Sequence, residues 1–342
     1  MKAMLLSRQA PVEEAPLELV EMAVPEPRED EILIRILTCG ICHTDLHTVE
    51  GDLPLHKSPV IPGHQIVGVV EKRGARVESL GLGERVGVAW LHWTCGKCRY
   101  CLRGDENLCE NARFTGWDAD GGYAEFAVVP AHFSYPLPEG LSAVEVAPLL
   151  CAGIVGFRAL KLSEVLPGET LAMYGFGASA HVNIQIALGR GCRVIVFSRS
   201  AEHRRLARDL GATWAGTIEE KPPLRPERAV IFAPAGPLVR HALELVDKGG
   251  TVALASIHMT PVPELNYETH LYNEKRLRSV TAATRQDGVE LLREAAAVPV
   301  RTRTEVFSLT DANRALWLLK ESKINGAGVL EPGSQSPTVK DR

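Results

Sequence analysis

Four cysteines within fifteen residues constrain this chain most. They are Cys95, Cys98, Cys101 and Cys109, in the pattern C-x2-C-x2-C-x7-C. Four thiolates in so short a segment can surround Zn²⁺ tetrahedrally, as in structural zinc sites. The alternative is two disulfides, but the chain begins MKAMLLSRQA without an apolar signal segment, so we expect a cytoplasmic protein with reduced thiols. The spacing predicts a structural zinc lobe over residues 95–113 that leaves no ligand position open for catalysis.

Length and charge limit the class of protein. The 342 residues are enough for two domains, and the net charge of −4 argues against nucleic acid or an anionic membrane as the main partner. The sequence contains no run of 18 apolar residues, so we expect no segment that spans a membrane. The last dozen residues, EPGSQSPTVKDR, have the composition of a loose tail.

The two parts of the chain have different patterns. Residues 1–150 contain short runs of Val, Ile and Leu between Gly and Pro, which predict a β-rich domain. From about residue 165, apolar strands alternate with helices, which predicts a parallel sheet covered on both faces. The short apolar segment Gly328–Leu330 could rejoin the first part. The expected fold class is α/β, with a β-rich domain and a doubly wound, Rossmann-type parallel sheet.

A glycine-rich turn follows the first strand of the predicted parallel sheet. Its sequence, Gly175-Phe176-Gly177-Ala178-Ser179-Ala180, fits G-x-G-x-x-G/A between a strand and a helix. Gly175 would permit the tight turn, Gly177 would let the backbone approach a pyrophosphate, and Ala180 would allow close helix–strand packing. The helix N-terminus, from Ala178, would supply free N–H groups. The alternative is an ordinary strand–helix turn built from small residues.

The end of the second strand indicates which dinucleotide would bind. It reads Phe197-Ser198-Arg199-Ser200 and lacks the Asp or Glu that holds the ribose hydroxyls of NAD. The hydroxyls of Ser198 and Ser200 and the guanidinium of Arg199 suit a 2′-phosphate, so we expect NADP rather than NAD. Alternatively, Arg199 is a solvated surface charge or stacks on adenine with either cofactor.

Three more segments carry residues that bind metals or transfer protons. They read GICHTDLH around Cys42, IPGHQIVG around His64, and LLCAG around Cys151. Each has an ordinary interpretation alone, because buried cysteines are mostly small apolar residues. Together with the cysteine lobe and GFGASA, they resemble the medium-chain zinc alcohol dehydrogenase family in order and spacing, over nearly the whole chain.

The resemblance implies specific roles for these residues. Cys42, His64 and Cys151 would bind a catalytic Zn²⁺, which gives two zinc ions per chain. Thr44 would pass the alcohol proton on, through the cofactor ribose, to His47 and solvent. Two further roles are implied: Asp45 would orient His64, and His43 would lie against the cofactor phosphates.

The resemblance also implies an architecture and a reaction. A GroES-like catalytic domain would comprise residues 1–150 and 285–342, and a dinucleotide-binding domain would comprise residues 151–284, with the active site in the cleft between them. The protein would transfer hydride reversibly between a primary or simple secondary alcohol and NAD(P)⁺, giving an aldehyde or ketone. Members of the family form homodimers or homotetramers.

Some positions depart from the commonest family pattern: Gln65 replaces Glu, Val155 replaces Thr, and Ala327 replaces Arg. The resemblance places Trp90, Leu91 and Trp117 in the wall of the substrate pocket, although each could instead be core packing.

Two alternative functions remain. One is a polyol or sugar dehydrogenase of the same superfamily, against which the cysteine lobe argues. The other is a non-catalytic regulator that senses cofactor, against which Thr44 and His47 argue.

Overall fold

The computed structural model describes residues 1–333 except 138, 299 and 325, so residues 334–342 of the predicted tail lie outside it. The strands, in chain order, are β1 (Lys2–Leu6), β2 (Leu17–Glu21), β3 (Glu31–Gly40), β4 (Gln65–Arg73), β5 (Arg85–Val88), β6 (Leu91–Trp93), β7 (Arg113–Phe114), β8 (Phe126–Pro130), β9 (Ser134–Pro136), β10 (Thr170–Tyr174), β11 (Arg193–Phe197), β12 (Trp214–Gly216), β13 (Arg228–Ile231), β14 (Thr251–Leu254), β15 (Arg276–Ser279), β16 (Thr304–Ser308) and β17 (Ala327–Glu331).

The α-helices connect these strands. In chain order they are α1 (His43–Glu50), α2 (Arg99–Leu102), α3 (Ala143–Val146), α4 (Ala152–Ser163), α5 (Ala178–Gly189), α6 (Ala201–Asp209), α7 (Pro237–Leu245), α8 (Tyr267–His270), α9 (Arg285–Ala297) and α10 (Ala312–Lys320). Among the described residues, no single helix is long and apolar enough to cross a membrane; residues 143–150 and α4 meet that test only together, as a bent pair.

One compact unit is built around the long strand β3. Its sheet has the order β16-β17-β3-β4-β5-β9, and β8 also pairs with β3. β17 lies antiparallel to β3, with Val329 opposite Gly40 and Leu330 opposite Cys39, so the segment Gly328–Leu330 does rejoin the first part. Buried aliphatic side chains of β1, β3, β4 and α10 form one continuous core beneath this sheet.

The other compact unit contains a six-stranded sheet in the order β12-β11-β10-β13-β14-β15, and every neighbouring pair is parallel. This is the 3-2-1-4-5-6 order of a Rossmann fold. All five residues of β10 are buried, as expected for a central strand covered on both faces. The predicted doubly wound parallel sheet is therefore confirmed.

The borders of the units differ in detail from the predicted domains. The first unit comprises Met1–Cys151, Thr284–Leu292 and the described residues from Thr302 onward, and the second comprises Ala152–Ala283 and Arg293–Arg301. Residues 293–301 group with the parallel sheet, although we expected them in the catalytic domain. The physical reason is their bonding to α5 and the residue after it: the Gln185 side chain in this helix bonds the Arg301 backbone, and Arg190, which follows the helix, makes two hydrogen bonds of 2.7 and 2.8 Å with Glu294.

The cysteine lobe is bound to the rest of the first unit through a partly buried ion pair. Glu106 lies in the lobe, and its side chain is only 10% exposed. Both of its carboxylate oxygens accept hydrogen bonds from the Arg285 guanidinium, at 2.6 to 3.0 Å, and one also accepts the Arg285 backbone N–H. The guanidinium also lies over the Phe133 ring, 4.3 Å from its centroid. Such a bidentate pair fixes the lobe relative to the start of α9.

We predict that Glu106→Gln lowers the free energy of unfolding by about 2 kcal/mol, because the partly buried guanidinium loses its counter-charge. Thermal scanning should show an apparent melting temperature several degrees lower. Glu29→Gln is the matched control: Glu29 and Arg76 form an ion pair in which both side chains are 68% exposed, so it should change stability by less than about 0.5 kcal/mol. Equal melting of the two variants would contradict the proposed role of Glu106.

Candidate functional site

The Asp45 carboxylate organises the site. Cys42 immediately precedes α1, and Asp45 lies in its first turn. One Asp45 oxygen accepts the Cys42 N–H at 2.9 Å, and the other accepts the Gly63 N–H at 3.2 Å and bonds His64 Nδ1 at 2.9 Å. Asp45 is only 2% exposed, so one buried carboxylate joins the turn before α1 to the segment that carries His64.

Glycine is required immediately before His64. Gly63 has φ +95°, and a Cβ there would lie 2.3 Å from Cδ1 of Tyr123 and 2.9 Å from Sγ of Cys39. No other residue could make this turn without moving the buried tyrosine. Gly63 thus allows close packing while it directs the next side chain towards Asp45.

The structure brings together the three predicted ligands of the catalytic metal. The ligand atoms of Cys42, His64 and Cys151 all lie within 4.8 Å of one another, and the two sulfur atoms are 3.8 Å apart. Tetrahedral zinc with bonds of about 2.3 Å needs sulfur atoms about 3.8 Å apart. His64 is fully buried, and its Nε2 has no hydrogen-bond partner among the described residues. A metal ion would satisfy this nitrogen, so these residues fit zinc.

Without a metal, two of these three ligands favour their protonated form. A hydrogen bond from the Cys151 thiol, assisted by His64, holds the pKa of Cys42 well below its usual range. The pKa of Cys151 is raised well above its usual range, because that thiol donates to Cys42 and is buried. Burial opposes protonation of His64, but the charge and hydrogen bond of Asp45 raise its pKa to about 10. Metal binding must therefore displace protons from His64 and Cys151.

The residues predicted to transfer protons lie on α1. Thr44 is buried, and its Oγ1 is 3.7 Å from Cys42 Sγ. His47 is one turn further along, and its Nδ1 bonds a carboxylate oxygen of Asp52 at 2.7 Å. His43 is exposed, with its ring centroid 6.5 Å from that of His47.

Sequence analysis did not identify Asp52. Its backbone is held in place, because Gly51 closes α1 in the left-handed conformation and Leu53 N–H donates to the His47 carbonyl. The Gln9 amide also donates to the carbonyls of Thr48 and Leu53, each at 2.7 Å. A carboxylate directly after the glycine that ends a helix was the signal in the sequence.

The four lobe cysteines form a second, separate cluster. Every ligand atom lies within 4.8 Å of the others, and three Sγ–Sγ distances are 3.5, 3.6 and 4.0 Å. All eight cysteines of the chain are free thiols, so the disulfide alternative is wrong in this structure. The backbone N–H groups of Lys97 and Cys98 lower the pKa of Cys95 to about 6, which favours a thiolate ligand. This geometry fits a closed structural zinc site.

An aromatic wall lies beside His64. We use this term for Trp90, Phe114, Trp117 and His56. The Trp90 ring meets His64 edge-on at 4.9 Å and lies nearly parallel to Trp117 at 6.0 Å and Phe114 at 5.0 Å. Of the residues that the resemblance places in the substrate pocket, Trp90 and Trp117 lie together in the aromatic wall, and Leu91 lies in β6 with 4% exposure.

In the second unit, the glycine turn lies at the carboxyl end of β10. Gly175 has φ +85°, and a Cβ there would be 3.0 Å from Ala233. Gly177 precedes α5, and a Cβ there would meet no atom within 4 Å, so the backbone faces open space. Ala178 begins α5, and Ala180 is fully buried under its first turn. β10 lies next to β13 in the sheet, where the strand order reverses and such sheets bind ligands.

The segment after β11 is held by Arg204, whose Nη1 donates to the carbonyls of Ser198 and Arg199 at 2.7 and 2.8 Å. Arg199 itself is exposed. Ser200, which we expected only at the cofactor, also caps α6: its hydroxyl accepts the His203 N–H at 3.3 Å.

Comparisons with known proteins agree with this architecture. Residues 28–139 match the family model "Alcohol dehydrogenase GroES-like domain", and residues 180–297 match "Zinc-binding dehydrogenase". The chain is 48% identical to "Probable alcohol dehydrogenase AdhA" of Mycobacterium tuberculosis, over 96% of this chain and 97% of that protein.

Solved structures with similar folds include the cobalt- and zinc-bound thermostable alcohol dehydrogenase of Pyrobaculum aerophilum, at 26% identity and a TM-score of 0.88, covering 97% of this chain and 99% of that one. A putative zinc-binding dehydrogenase from Sinorhizobium meliloti bound to NADP is similar at 25% identity and a TM-score of 0.85, covering 97% and 99% of the two chains. The GroES-like and Rossmann-type fold class is confirmed. The chain belongs to the medium-chain, zinc-type alcohol dehydrogenase family.

Proposed function

We propose that the protein is a zinc-dependent oxidoreductase that interconverts a primary or simple secondary alcohol and the matching aldehyde or ketone, using a nicotinamide cofactor. The observation that carries the proposal is the set of Cys42, His64 and Cys151, in which Nε2 of the buried His64, without a hydrogen-bond partner among the described residues, lies within 4.8 Å of both sulfur atoms. Three protein ligands leave the fourth position of a tetrahedral zinc for a substrate, as in catalytic zinc sites.

The ligand set suits this chemistry. When bound, zinc would act as a Lewis acid towards the substrate oxygen, and the nicotinamide would exchange hydride with the carbinol carbon. Two thiolates and a neutral imidazole balance the charge of the ion. Asp45 fixes the Nδ1 proton of His64, so that the lone pair is on Nε2, and it orients the ring.

We assign proton transfer to residues of α1. The Thr44 hydroxyl can accept a proton and donate another at the same oxygen, and it lies next to a metal ligand. The His47 side chain is 22% exposed, so it can exchange protons with solvent. Asp52 holds His47 Nδ1 and thereby fixes the tautomer and orientation of its ring.

The residues after β11 favour NADP. Arg199 is exposed, and Arg204 and Arg205 follow it within the first turns of α6. The described segment 198–200 has no carboxylate that would hold a ribose diol or repel a 2′-phosphate. The glycine turn and the start of α5 would receive the pyrophosphate.

The remaining assignments follow from family membership and from the two clusters. The first unit would be the catalytic domain with two zinc ions, one at Cys42, His64 and Cys151 and one in the lobe. The second unit would be the dinucleotide-binding domain. Eight cysteines without a disulfide suit a reducing cytoplasm, and a homodimer or homotetramer would be the working form.

We predict that the two metal sites can be separated by mutation. Cys42→Ser should lower the zinc content from two ions to one and reduce kcat by more than about a thousandfold, with the fold retained, because a catalytic ligand is lost. Cys98→Ser should remove the other ion and lower the melting temperature more than the rate. Cys192→Ser is the matched control, since Cys192 is a buried cysteine outside both clusters. Near-normal turnover by Cys42→Ser would disprove the catalytic assignment.

We predict that Asp52→Asn lowers kcat about threefold to tenfold and leaves the KM for alcohol nearly unchanged, because His47 loses the carboxylate that fixes its tautomer. Steady-state kinetics separate the two constants, and the ¹⁵N shifts of His47 report the tautomer directly. Glu78→Gln serves as the control, because Glu78 is exposed and outside the site. A normal kcat together with an unchanged tautomer would argue against the role of Asp52.

We predict that Arg199→Ala raises the KM for NADP about tenfold and changes the KM for NAD less than about twofold, because a charge-assisted bond to the 2′-phosphate is lost. Arg193→Ala is the control, since Arg193 is an exposed arginine at the opposite end of β11. Equal losses with both cofactors would refute the assignment.

A further inference from the structure

The aromatic wall extends from the candidate metal centre to the surface. Trp90 contacts the His64 ring, and Trp117 lies nearly parallel to Trp90, with 14° between the ring planes. His56 stacks on Trp117 with 3.9 Å between centroids and 26° between planes. Trp90, Phe114 and Trp117 are each partly exposed. Aromatic rings attract one another in offset or edge-to-face arrangements, so this wall can distinguish a flat substrate ring from a saturated one.

Hydrogen bonds hold the wall in place. Trp117 Nε1 donates to the Pro54 carbonyl at 2.9 Å, and Lys57 Nζ donates to Asp120 at 2.6 Å. Ser58, the residue after Lys57, donates from Oγ to the Ser7 carbonyl at 3.2 Å. The segment that carries His56 is therefore bonded on both sides of this residue, and its ring is positioned before a substrate arrives.

The outer end of the wall presents a hydrogen-bond acceptor, the His56 ring. His56 Nδ1 bonds Asp118 Oδ1 at 2.8 Å. Asp118 is itself fixed, because its other oxygen accepts the Phe114 N–H at 2.9 Å and its side chain is only 14% exposed. The carboxylate keeps the proton of a neutral imidazole on Nδ1, so Nε2 presents a lone pair. The His56 side chain is 55% exposed, so Nε2 can accept a hydrogen bond from a ligand.

We propose that the aromatic wall selects flat aromatic primary alcohols and their aldehydes, and that His56 Nε2 favours those with a hydroxyl group at the far end of the ring. This inference rests on the proposed function, since the substrate oxygen must lie at the metal centre beside His64. The Trp90 and Trp117 rings would contact the substrate ring, and the distal O–H would donate to His56. His56 and Trp117 are specificity-determining residues in this account.

The test compares substrates that differ in one property. Benzyl alcohol and cyclohexylmethanol have similar sizes but differ in flatness, and 4-hydroxybenzyl alcohol adds only the distal hydroxyl. The ratios of kcat/KM are measured with the zinc-loaded protein and with Trp117→Leu, His56→Phe and the control His132→Phe, an exposed histidine elsewhere in the first unit. Trp117→Leu should reduce the preference for benzyl alcohol over cyclohexylmethanol about fivefold.

His56→Phe keeps a flat ring but lacks the acceptor nitrogen. It should reduce the preference for 4-hydroxybenzyl alcohol over benzyl alcohol about fivefold and leave the benzyl-to-cyclohexylmethanol ratio unchanged. Unchanged ratios in His56→Phe and Trp117→Leu would overturn the inference. Isothermal titration calorimetry measures binding of the same alcohols without turnover. A protein that bound them with the expected ratios and oxidised none would contradict the proposed reaction and still support the aromatic wall.

Discussion

The candidate active site depends on one buried carboxylate. Asp45 accepts the backbone N–H groups of Cys42 and Gly63 and bonds Nδ1 of His64. Two of the three candidate ligands thus take their positions from the same side chain, although they are 22 residues apart. Because the carboxylate is excluded from water, its removal would leave buried N–H groups unsatisfied, at a cost of about 1–3 kcal/mol each. The site and the local fold are therefore stabilised by the same interaction.

The first unit contains two cysteine clusters, and the number of ligands distinguishes the structural site from the catalytic one. The lobe offers four sulfur atoms and leaves no place for a substrate, and the Glu106–Arg285 pair binds it to the rest of the unit. The other cluster offers two sulfur atoms and one imidazole nitrogen, with Thr44 beside it. The same ion would be a cross-link in one place and a Lewis acid in the other.

Features were predicted best from the sequence where the residue types and their local spacing together indicate one structure. The cysteine lobe, the glycine turn and the parallel sheet need only short-range patterns, and the structure contains all three. Prediction was weaker where long-range contacts determine the position of a residue or an element. β15 is hard to locate from a local apolar pattern, because it contains Arg276 and Arg278, two charged residues that pair with Glu164. The interaction of Asp52 with His47 depends on the left-handed turn at Gly51, and the grouping of residues 293–301 depends on contacts with α5.

The most direct test of the account is anomalous diffraction at the zinc absorption edge, from crystals of protein with full alcohol dehydrogenase activity. We expect two peaks per chain, one inside the lobe and one bounded by Cys42 Sγ, His64 Nε2 and Cys151 Sγ. A single peak in the lobe, with no anomalous scatterer beside His64 in active material, would contradict the central claim.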